Sequence, residues 1–209
     1  MHECVINIGT VLPKSLKHLT IRDSPCLTSA PGLVTLEVAD CHGWTPLFKS
    51  LPSLVAAFIN TRYLCVVCHG RADFVFLEGL SGATNLELTA EYFMIFRTDI
   101  EWCPMFSRLK TLLLSDWCMA HYFHGLVFFL KHSPILERLT LEHSTLSKQW
   151  YGDTTETCKP KDKFLVSKHL KAVEINHVKD DKRIHLLLKV LAFHGVYSEL
   201  INFKEKYTS

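Results

Sequence analysis

The sequence lacks the features that mark membrane, exported and nucleic-acid-binding proteins. It contains no stretch of about 18 uncharged apolar residues, so it predicts no membrane-spanning helix. No basic segment followed by an apolar one lies near Met1, so a secretory signal is not indicated. Lysine and arginine form no basic run, and the formal net charge is only +2. We therefore expect a cytoplasmic or nuclear protein with neither a membrane nor a nucleic-acid partner.

The sequence also lacks the common catalytic motifs. It has no G-x-S-x-G, no P-loop and no H-E-x-x-H. Its 12 histidines are scattered, and the pair His121 and His124 on a predicted helix has no indicated third ligand. Asp180 and Asp181 stand where another helix is predicted to begin, and there acidic side chains serve as caps. We therefore expect that the protein is not an enzyme.

One short stretch, LCVVCHG from Leu64 to Gly70, suggests a cofactor. Cys65, Cys68 and His69 spell C-x-x-C-H, the spacing that attaches c-type haem, and a C-x-x-C pair is also half of a zinc site.

The rest of the chain does not support either cofactor. A zinc site would need further ligands such as Cys41 or His42, and only one C-x-x-C occurs. A haem would need a second axial ligand, for which Met94 and Met105 are available, and a compartment that the sequence does not indicate. We interpret the 8 cysteines mainly as reduced thiols, several of them packed as small hydrophobes, and expect no cofactor.

What the sequence does contain is a core-forming composition and a repeat. Apolar residues make up 48% of the chain and charged residues 21%, so it can bury a core. Segments resembling L-x-x-L-x-L recur, with starts separated by 17, 21, 29, 26, 27 and 34 residues. Four of these spacings fall within the roughly 20–29 residues typical of leucine-rich repeats. The segments begin at Leu16, Leu33, Leu54, Ala83, Leu109, Leu136 and Leu170.

The end of each repeated segment predicts a strand. In Leu36-Glu37-Val38, for example, apolar and variable residues alternate, as in a strand with one buried face. A unit of this size cannot bury its apolar residues alone, so neighbouring units are expected to stack and pair their strands. We expect an α/β leucine-rich-repeat solenoid, a curved parallel sheet of roughly seven strands with helices and irregular segments on the convex side.

Two segments predict helices. Phe123, Leu126, Val127 and Leu130 follow a helical spacing, and Pro134 stops that helix.

The second helix is predicted near the end of the chain, with Ile184, Leu187, Leu188 and Leu191 on one face. Asp180 or Asp181 caps its start, and Gly195 suits the position after its end.

In longer runs, the sequence resembles a plant F-box leucine-rich-repeat protein. The similarity covers most of Ala30–Glu142, and it is carried by APGLVTLEVADCHGWTPLFKSLPSLVAAFI, FLEGLSGATNLEL, WCPMFSRLKTLLLSDWC and FLKHSPILERLTLE. The segment LKAVEINHVKDDKRIHLLLKVLAFHGV is similar to the FBD-type tail of such proteins. The resemblance implies a repeat array over residues 1–178 and an FBD-like helix and cap over residues 179–209.

The resemblance also implies a function. Such proteins dock on the adaptor of a cullin–RING ubiquitin ligase through an N-terminal F-box and hold a protein substrate with the repeats. Too few residues precede Leu16 to form an F-box, so we expect a truncated substrate-recognition module that binds the adaptor only where an upstream F-box exists. The alternative is a stand-alone repeat scaffold, or a non-functional truncated product with no ligase role.

Alternation places a possible partner-binding surface on the concave face of the predicted sheet. On each strand, the first, third and fifth residues flank the buried pair and face outward, as His18, Thr20 and Arg22 do. The middle row of this face mixes acids with apolar residues, which suits a protein partner that carries basic and apolar groups. The candidate partner-binding residues are Glu37, Phe58, Glu87, Leu113, Thr140 and Glu174.

The first prediction concerns cofactors. We expect the purified chain to contain neither haem nor stoichiometric metal, because a single C-x-x-C-H is not accompanied by a second half-site. Absorbance at the haem band and elemental analysis test this expectation. One zinc per chain that is lost when Cys65 and Cys68 are replaced by serine would contradict it.

Overall fold

The computed structural model of the protein describes residues 10–22, 27–39, 47–61, 76–90, 104–115, 123–142, 163–179, 181 and 183–205. Within these ranges the chain forms eleven strands and three α-helices. Eight strands form one all-parallel sheet, and the other three form a smaller parallel sheet. The fold is therefore α/β, as predicted.

Each repeated unit contributes one strand to the larger sheet, and one further strand follows the last unit. They are β2 (His18–Arg22), β4 (Thr35–Ala39), β6 (Ala56–Thr61), β7 (Asn85–Ala90), β8 (Thr111–Ser115), β9 (Arg138–Glu142), β10 (Ala172–His177) and β11 (Ile201–Glu205). The smaller sheet contains β1 (Thr10–Val11), β3 (Leu27–Ser29) and β5 (Leu47–Ser50). The helices are α1 (Phe76–Leu80), α2 (His124–His132) and α3 (Arg183–Phe193).

The strands of the larger sheet lie side by side in their chain order, from β2 at one edge to β11 at the other. Strands of the two sheets alternate along the chain as far as β6. In the first three units the chain thus passes from the smaller sheet to the larger one and back, a path compatible with a solenoid.

A hydrogen-bonded turn precedes each of the first seven strands of the larger sheet. In every case a backbone N–H donates to the carbonyl oxygen three residues earlier, at 3.0–3.2 Å. A turn of this kind reverses the chain within four residues. It therefore sets the direction of the strand that follows, which runs parallel to the strand of the preceding unit. The seven donors are Leu16, Leu33, Leu54, Ala83, Leu109, Leu136 and Leu170, at which the repeated segments begin.

A second set of backbone bonds joins each unit to the next just before the strands start. The Lys17 carbonyl oxygen accepts from the N–H groups of Val34 and Thr35, both at 2.9 Å, and the same bifurcated pattern recurs from unit to unit. The turns stack so closely that a Cβ at Gly32 would lie 1.9 Å from the Lys14 carbonyl oxygen. Glycine is required there because any side chain would collide with that backbone.

The strand pairings confirm the register that the repeat predicted. Leu36 pairs with Leu19 on one side and Ala57 on the other, and Leu112 pairs with Leu86 and Leu139. Each pairing offset equals the spacing between the corresponding repeated segments. The predicted core residues Ala57, Ile59, Leu112 and Leu114 are all buried.

The smaller sheet was not predicted, since we expected only helices and irregular segments on that side. β1, β3 and β5 occupy it in the first three units, and α1 lies against β5. The segments that connect these units are the shortest of the array, with spacings of 17 and 21 residues. A short segment that must cross back to the next strand has room for an extended stretch and little room for a helix.

Helix α2 is buried over more of its circumference than predicted. Leu126 and Leu130 are buried, but so are Phe128 and Phe129, whereas Val127 is only half-buried. Phe106 from the preceding segment explains the difference, because its ring centroid lies 5.1 Å from that of Phe129. The helix ends at His132, two residues before Pro134, as the sequence predicted.

Helix α3 is capped as predicted at both ends. The Asp181 carboxylate accepts the backbone N–H of Arg183 at 3.0 Å and also pairs with the Arg183 guanidinium. Gly195 follows the helix with a φ of 88°, the left-handed conformation that glycine adopts readily. Leu187 and Leu191 are buried, while Ile184 and Leu188 pack against the core with partial exposure. Asp180 lies outside the described residues.

His194 fastens the end of α3 to the segment before β10. Its ring stacks on Phe164 with centroids 4.0 Å apart, its Nδ1 lies 3.3 Å from the Phe164 carbonyl oxygen, and its own carbonyl oxygen accepts the Val166 N–H at 3.0 Å. The side chain is fully buried, and this burial lowers the pKa of His194. The imidazole is therefore held as a neutral core residue.

Strand β11 is an addition to the seven predicted strands. Its preceding turn closes at Leu200, where the N–H donates to the Tyr197 carbonyl oxygen at 3.1 Å. Its register pairs Ile201 with Val173, which puts that turn two residues nearer the strand than in the other units. This shift removes the L-x-x-L-x-L pattern, and for that reason the repeat search did not find β11.

The second prediction tests the strand register. Leu112→Ala should lower the free energy of unfolding by about 2–5 kcal/mol, because it opens a cavity in the core. Leu113→Ala, on the opposite face, should cost less than half as much. Urea denaturation of the two variants measures both values, and equal losses would mean that the register is wrong by one residue.

Candidate functional site

The candidate site is the face of the larger sheet that is turned away from the buried leucines, which we call the open face. It carries the first, third and fifth residues of each strand, in three rows that run across the sheet. In the middle row each residue pairs with the next one. This row contains Thr20, Glu37, Phe58, Glu87, Leu113, Thr140, Glu174 and Asn202.

All six predicted partner-binding residues lie next to one another in this middle row. Their order across the sheet is Glu37, Phe58, Glu87, Leu113, Thr140 and Glu174. Neighbouring members are therefore about 4.8 Å apart along the row. Residues from six different units thus form one continuous strip.

The two apolar members of the strip are accessible to different degrees. The Phe58 side chain is 38% exposed. Leu113 is half-buried between its row neighbours Glu87 and Thr140. The prediction that both face away from the core is confirmed, and Phe58 offers the larger accessible surface.

The row nearest the carboxyl ends of the strands corrects one expectation. Alternation predicted that its members would face outward, but Ala39, Ser115 and Asn176 are buried. All three side chains are small and lie between paired neighbours on adjacent strands, which shield them. Arg22 in the same row is exposed, and Asn60, Thr89 and Glu142 are half-buried, so this row is accessible only in part.

Glu37, near one edge of the sheet, already has partners. The Thr20 hydroxyl donates to its carboxylate at 3.3 Å, and the Arg22 guanidinium lies 3.7 Å away. This acid is thus held and partly neutralised by the neighbouring strand.

Glu174, near the opposite edge, is paired in the same way. The Lys204 ammonium on β11 lies 2.7 Å from its carboxylate, and this bond, reinforced by Asn176, lowers the pKa of Glu174. Two of the three acids in the strip therefore carry cations supplied by neighbouring strands of the protein itself.

Glu87, in the centre of the sheet, has a different environment. Partial burial raises the pKa of its carboxyl group, and the negative charge of Glu142 raises that pKa further. Glu87 lies between Phe58 and Leu113 in the middle row, so both of its paired neighbours are apolar. Its negative charge is therefore the least compensated in the strip.

Two amide oxygens near Glu87 and Glu142 have no hydrogen-bond donor among the described residues. They are Oδ1 of Asn60 and Oδ1 of Asn176. The Asn176 amide group donates instead to the Glu142 carboxylate at 3.2 Å. These two amide oxygens therefore lie on β6 and on β10, four strands apart in the row nearest the carboxyl ends, and both are shielded from solvent.

Sequence analysis did not select Asn60, Glu142 or Asn176 as site residues. Alternation placed them on the open face, but nothing in their spacing distinguished them from other strand residues. Lys204 was missed because β11 has no repeat pattern. Only the pairing of the strands reveals that these side chains lie beside the predicted strip.

Most of the residues considered for haem or metal binding lie outside the described part of the chain. The described residues contain no group of three histidine, cysteine or acidic side chains that could hold a metal ion. Of the two methionines considered for haem, Met105 is 53% exposed. The other candidates, Cys41, His42, Cys65, Cys68, His69, Met94 and His121, lie outside the described residues.

Comparisons with known proteins give no further identification. Neither a protein-family model, nor a curated protein, nor a solved structure matches the chain. In the described parts of the chain, every helix is too short or too polar to cross a membrane. The functional argument therefore depends on the open face.

The third prediction concerns the charge of Glu87. Because its pKa is raised in the folded state, the unfolded chain ionises first as pH rises, and the ionised form destabilises the fold at neutral pH. The free energy of unfolding of Glu87→Gln should therefore exceed that of the wild type at pH 7, by up to about 0.5 kcal/mol. This difference between the variant and the wild type should vanish below the usual carboxyl pKa, where Glu87 is protonated in both states.

Glu174→Gln is the matched control, with the opposite sign. The pKa of Glu174 is lowered in the folded state, so the ionised carboxylate stabilises the fold above the usual carboxyl pKa. This contribution disappears as pH falls through the folded-state pKa. Urea denaturation of both variants from pH 3.5 to pH 7 gives the comparison. If the stability of the two variants depended on pH in the same way, the opposite directions assigned to the two pKa shifts would be wrong.

Proposed function

We propose that this chain is a protein-interaction module built as a leucine-rich-repeat solenoid, whose open face binds a protein partner. The observation that carries the proposal is the strip itself, in which six units place Glu37, Phe58, Glu87, Leu113, Thr140 and Glu174 in one continuous row. An exposed aromatic residue with polar neighbours is a common arrangement for an interface anchor.

The leucine-rich-repeat assignment is supported by the repeated unit. Each unit joins an apolar turn residue, a short parallel strand and a returning segment, and most unit lengths are typical of such repeats. Repeat proteins of this architecture bind partners over extended sheet surfaces, since neighbouring units contribute side chains to one surface.

The resemblance to F-box proteins supports a more specific role. We propose that the open face holds a protein substrate, as the repeats of an F-box component of a cullin–RING ubiquitin ligase do. Docking on the ligase adaptor would depend on an F-box segment upstream of the repeats. This role places the protein in the cytoplasm or nucleus and requires no catalytic residue in the chain.

The fourth prediction tests the open face by quantitative affinity capture from extracts of the source organism. The tagged chain is compared with the double variant Phe58→Ala/Leu113→Ala and with Met105→Ala, a control that removes an exposed apolar side chain away from the open face. Specific partners should be reduced at least about tenfold by the double variant, since loss of an anchor costs about 2 kcal/mol or more.

The control variant should retain the same partners. Partners that bind the double variant as well as the wild type would contradict the proposed surface. The captures also test the ligase role, because a chain extended upstream through an F-box should recover the adaptor together with the same partners, whereas residues 1–209 alone should not. Failure of the extended chain to recover adaptor would favour the stand-alone scaffold.

A further inference from the structure

The last strand of the larger sheet, β11, combines a free edge with an uncovered apolar side chain. We propose that this edge is a docking site for an extended segment of a partner protein, which adds to the sheet as a parallel strand and covers Phe203. The site is distinct from the open face, so the inference goes beyond the proposed function.

The first argument is the free edge itself. Residues Ile201–Glu205 of β11 pair with residues 173–177 of β10, and none of the strands in the described part of the chain pairs with the other side of β11. The backbone N–H and C=O groups along such an edge are a template for another strand. The Lys204 side chain does not block the edge, because its ion pair with Glu174 at 2.7 Å draws the ammonium group toward β10.

The second argument is an interrupted row of core residues. The fourth residues of the seven other strands lie in register across the sheet, and each is at most 3% exposed. They are Ile21, Val38, Ile59, Leu88, Leu114, Leu141 and Ile175. Phe203 continues this row beside Ile175, yet it is 49% exposed. A position on an edge strand does not explain the difference, since Ile21 lies on the opposite edge strand and is buried.

The apolar character of this end of the array supports the same conclusion. A terminal repeat unit normally presents a polar outer face, because water covers it. Here Tyr197, whose carbonyl oxygen closes the turn before β11, is 71% exposed in addition to Phe203. Large exposed apolar side chains beside a free strand edge favour an interaction surface over a simple solvated end.

The sheet itself specifies the chemistry of the added segment. At each of its parallel junctions, apolar residues face the core at two alternate positions, as Val173 and Ile175 do beside Ile201 and Phe203. A strand added to β11 therefore needs two alternate apolar side chains, and the residue between them faces the other side of the sheet. Main-chain hydrogen bonds give such a segment affinity, and the alternate side chains give it specificity. A helix would leave the backbone groups of the edge unpaired.

A second copy of the chain is a less suitable occupant than another protein. If its β2 joined β11 in the register of the other junctions, Arg22 of that copy would lie beside Lys204. Like charges at neighbouring strand positions repel each other. The charge pattern of the two edges therefore favours a segment from a different protein.

The experiment selects ligands and then tests how their backbone binds. A display library of random twelve-residue peptides is selected against the full chain. Fluorescence anisotropy gives the Kd of each selected peptide for the wild type, Phe203→Ala, the open-face variant Phe58→Ala/Leu113→Ala and the control Met105→Ala, which removes another exposed apolar side chain. Each peptide is also synthesised in two forms that are N-methylated at alternate residues, because only one alternate set of N–H groups faces the edge.

We expect the enriched peptides to carry apolar residues at two alternate positions. Phe203→Ala should weaken their binding about tenfold or more, because it removes the apolar anchor of the edge. The open-face variant and Met105→Ala should each change the Kd by less than about threefold. One N-methylated form should lose about tenfold or more in affinity and the other less than about threefold. A photoreactive group at the carboxyl end of the peptide should label the chain near Glu205, as a parallel strand requires.

The other outcomes separate this inference from the proposed function. Peptides that lose affinity for the open-face variant and not for Phe203→Ala would support the open face and overturn the edge site. Equal tolerance of both N-methylated forms, labelling near Leu200, or no enrichment at all would overturn the added parallel strand. A dimer detected by sedimentation that Phe203→Ala abolishes would make the occupant a second copy and overturn the partner segment. The comparison of N-methylated peptides uses the wild-type chain, so it decides the question even if Phe203→Ala fails to fold.

Discussion

The turn that closes at the first leucine of each unit is the constraint on which the rest of the fold depends. It reverses the chain, buries an apolar side chain and leaves the next carbonyl group to accept two N–H donors from the following unit. Because each unit is fixed to its neighbour by the same backbone geometry, the spacing between units can vary from 17 to 34 residues without changing the strand register. Variation in length is absorbed by the returning segments, which are strands, helices or irregular stretches.

That regular register has a direct consequence for the open face. Side chains from distant parts of the sequence lie one strand spacing apart, so their charges and surfaces act together. At the edges this arrangement satisfies the acids internally, since Arg22 and Lys204 lie within reach of Glu37 and Glu174. In the centre the same arrangement places Glu87 between two apolar residues. The face is therefore neither uniformly acidic nor uniformly apolar, and its centre is chemically distinct from its edges.

Alternation and repeat spacing were sufficient to predict seven parallel strands, their pairing and the row of six candidate residues. These features follow from local rules, because a period of two assigns each residue to one face and a repeated turn sets where every strand begins. The same rules failed for β11, where the turn closes two residues later relative to the strand. They also failed for the smaller sheet, because an extended segment of three or four residues has no periodicity to recognise.

The sequence by itself determined which residues face the core and which face outward, since both depend only on the side-chain period within one strand. Tertiary structure decided how accessible the outward residues are and which of them have partners. Ser115 and Asn176 are outward by alternation but buried by their neighbours, and Glu87 and Glu174 look equivalent in the sequence but differ in the direction of their pKa shifts. The physical reason is that burial and electrostatic pairing depend on the adjacent strands, which come from residues 26 to 34 positions away.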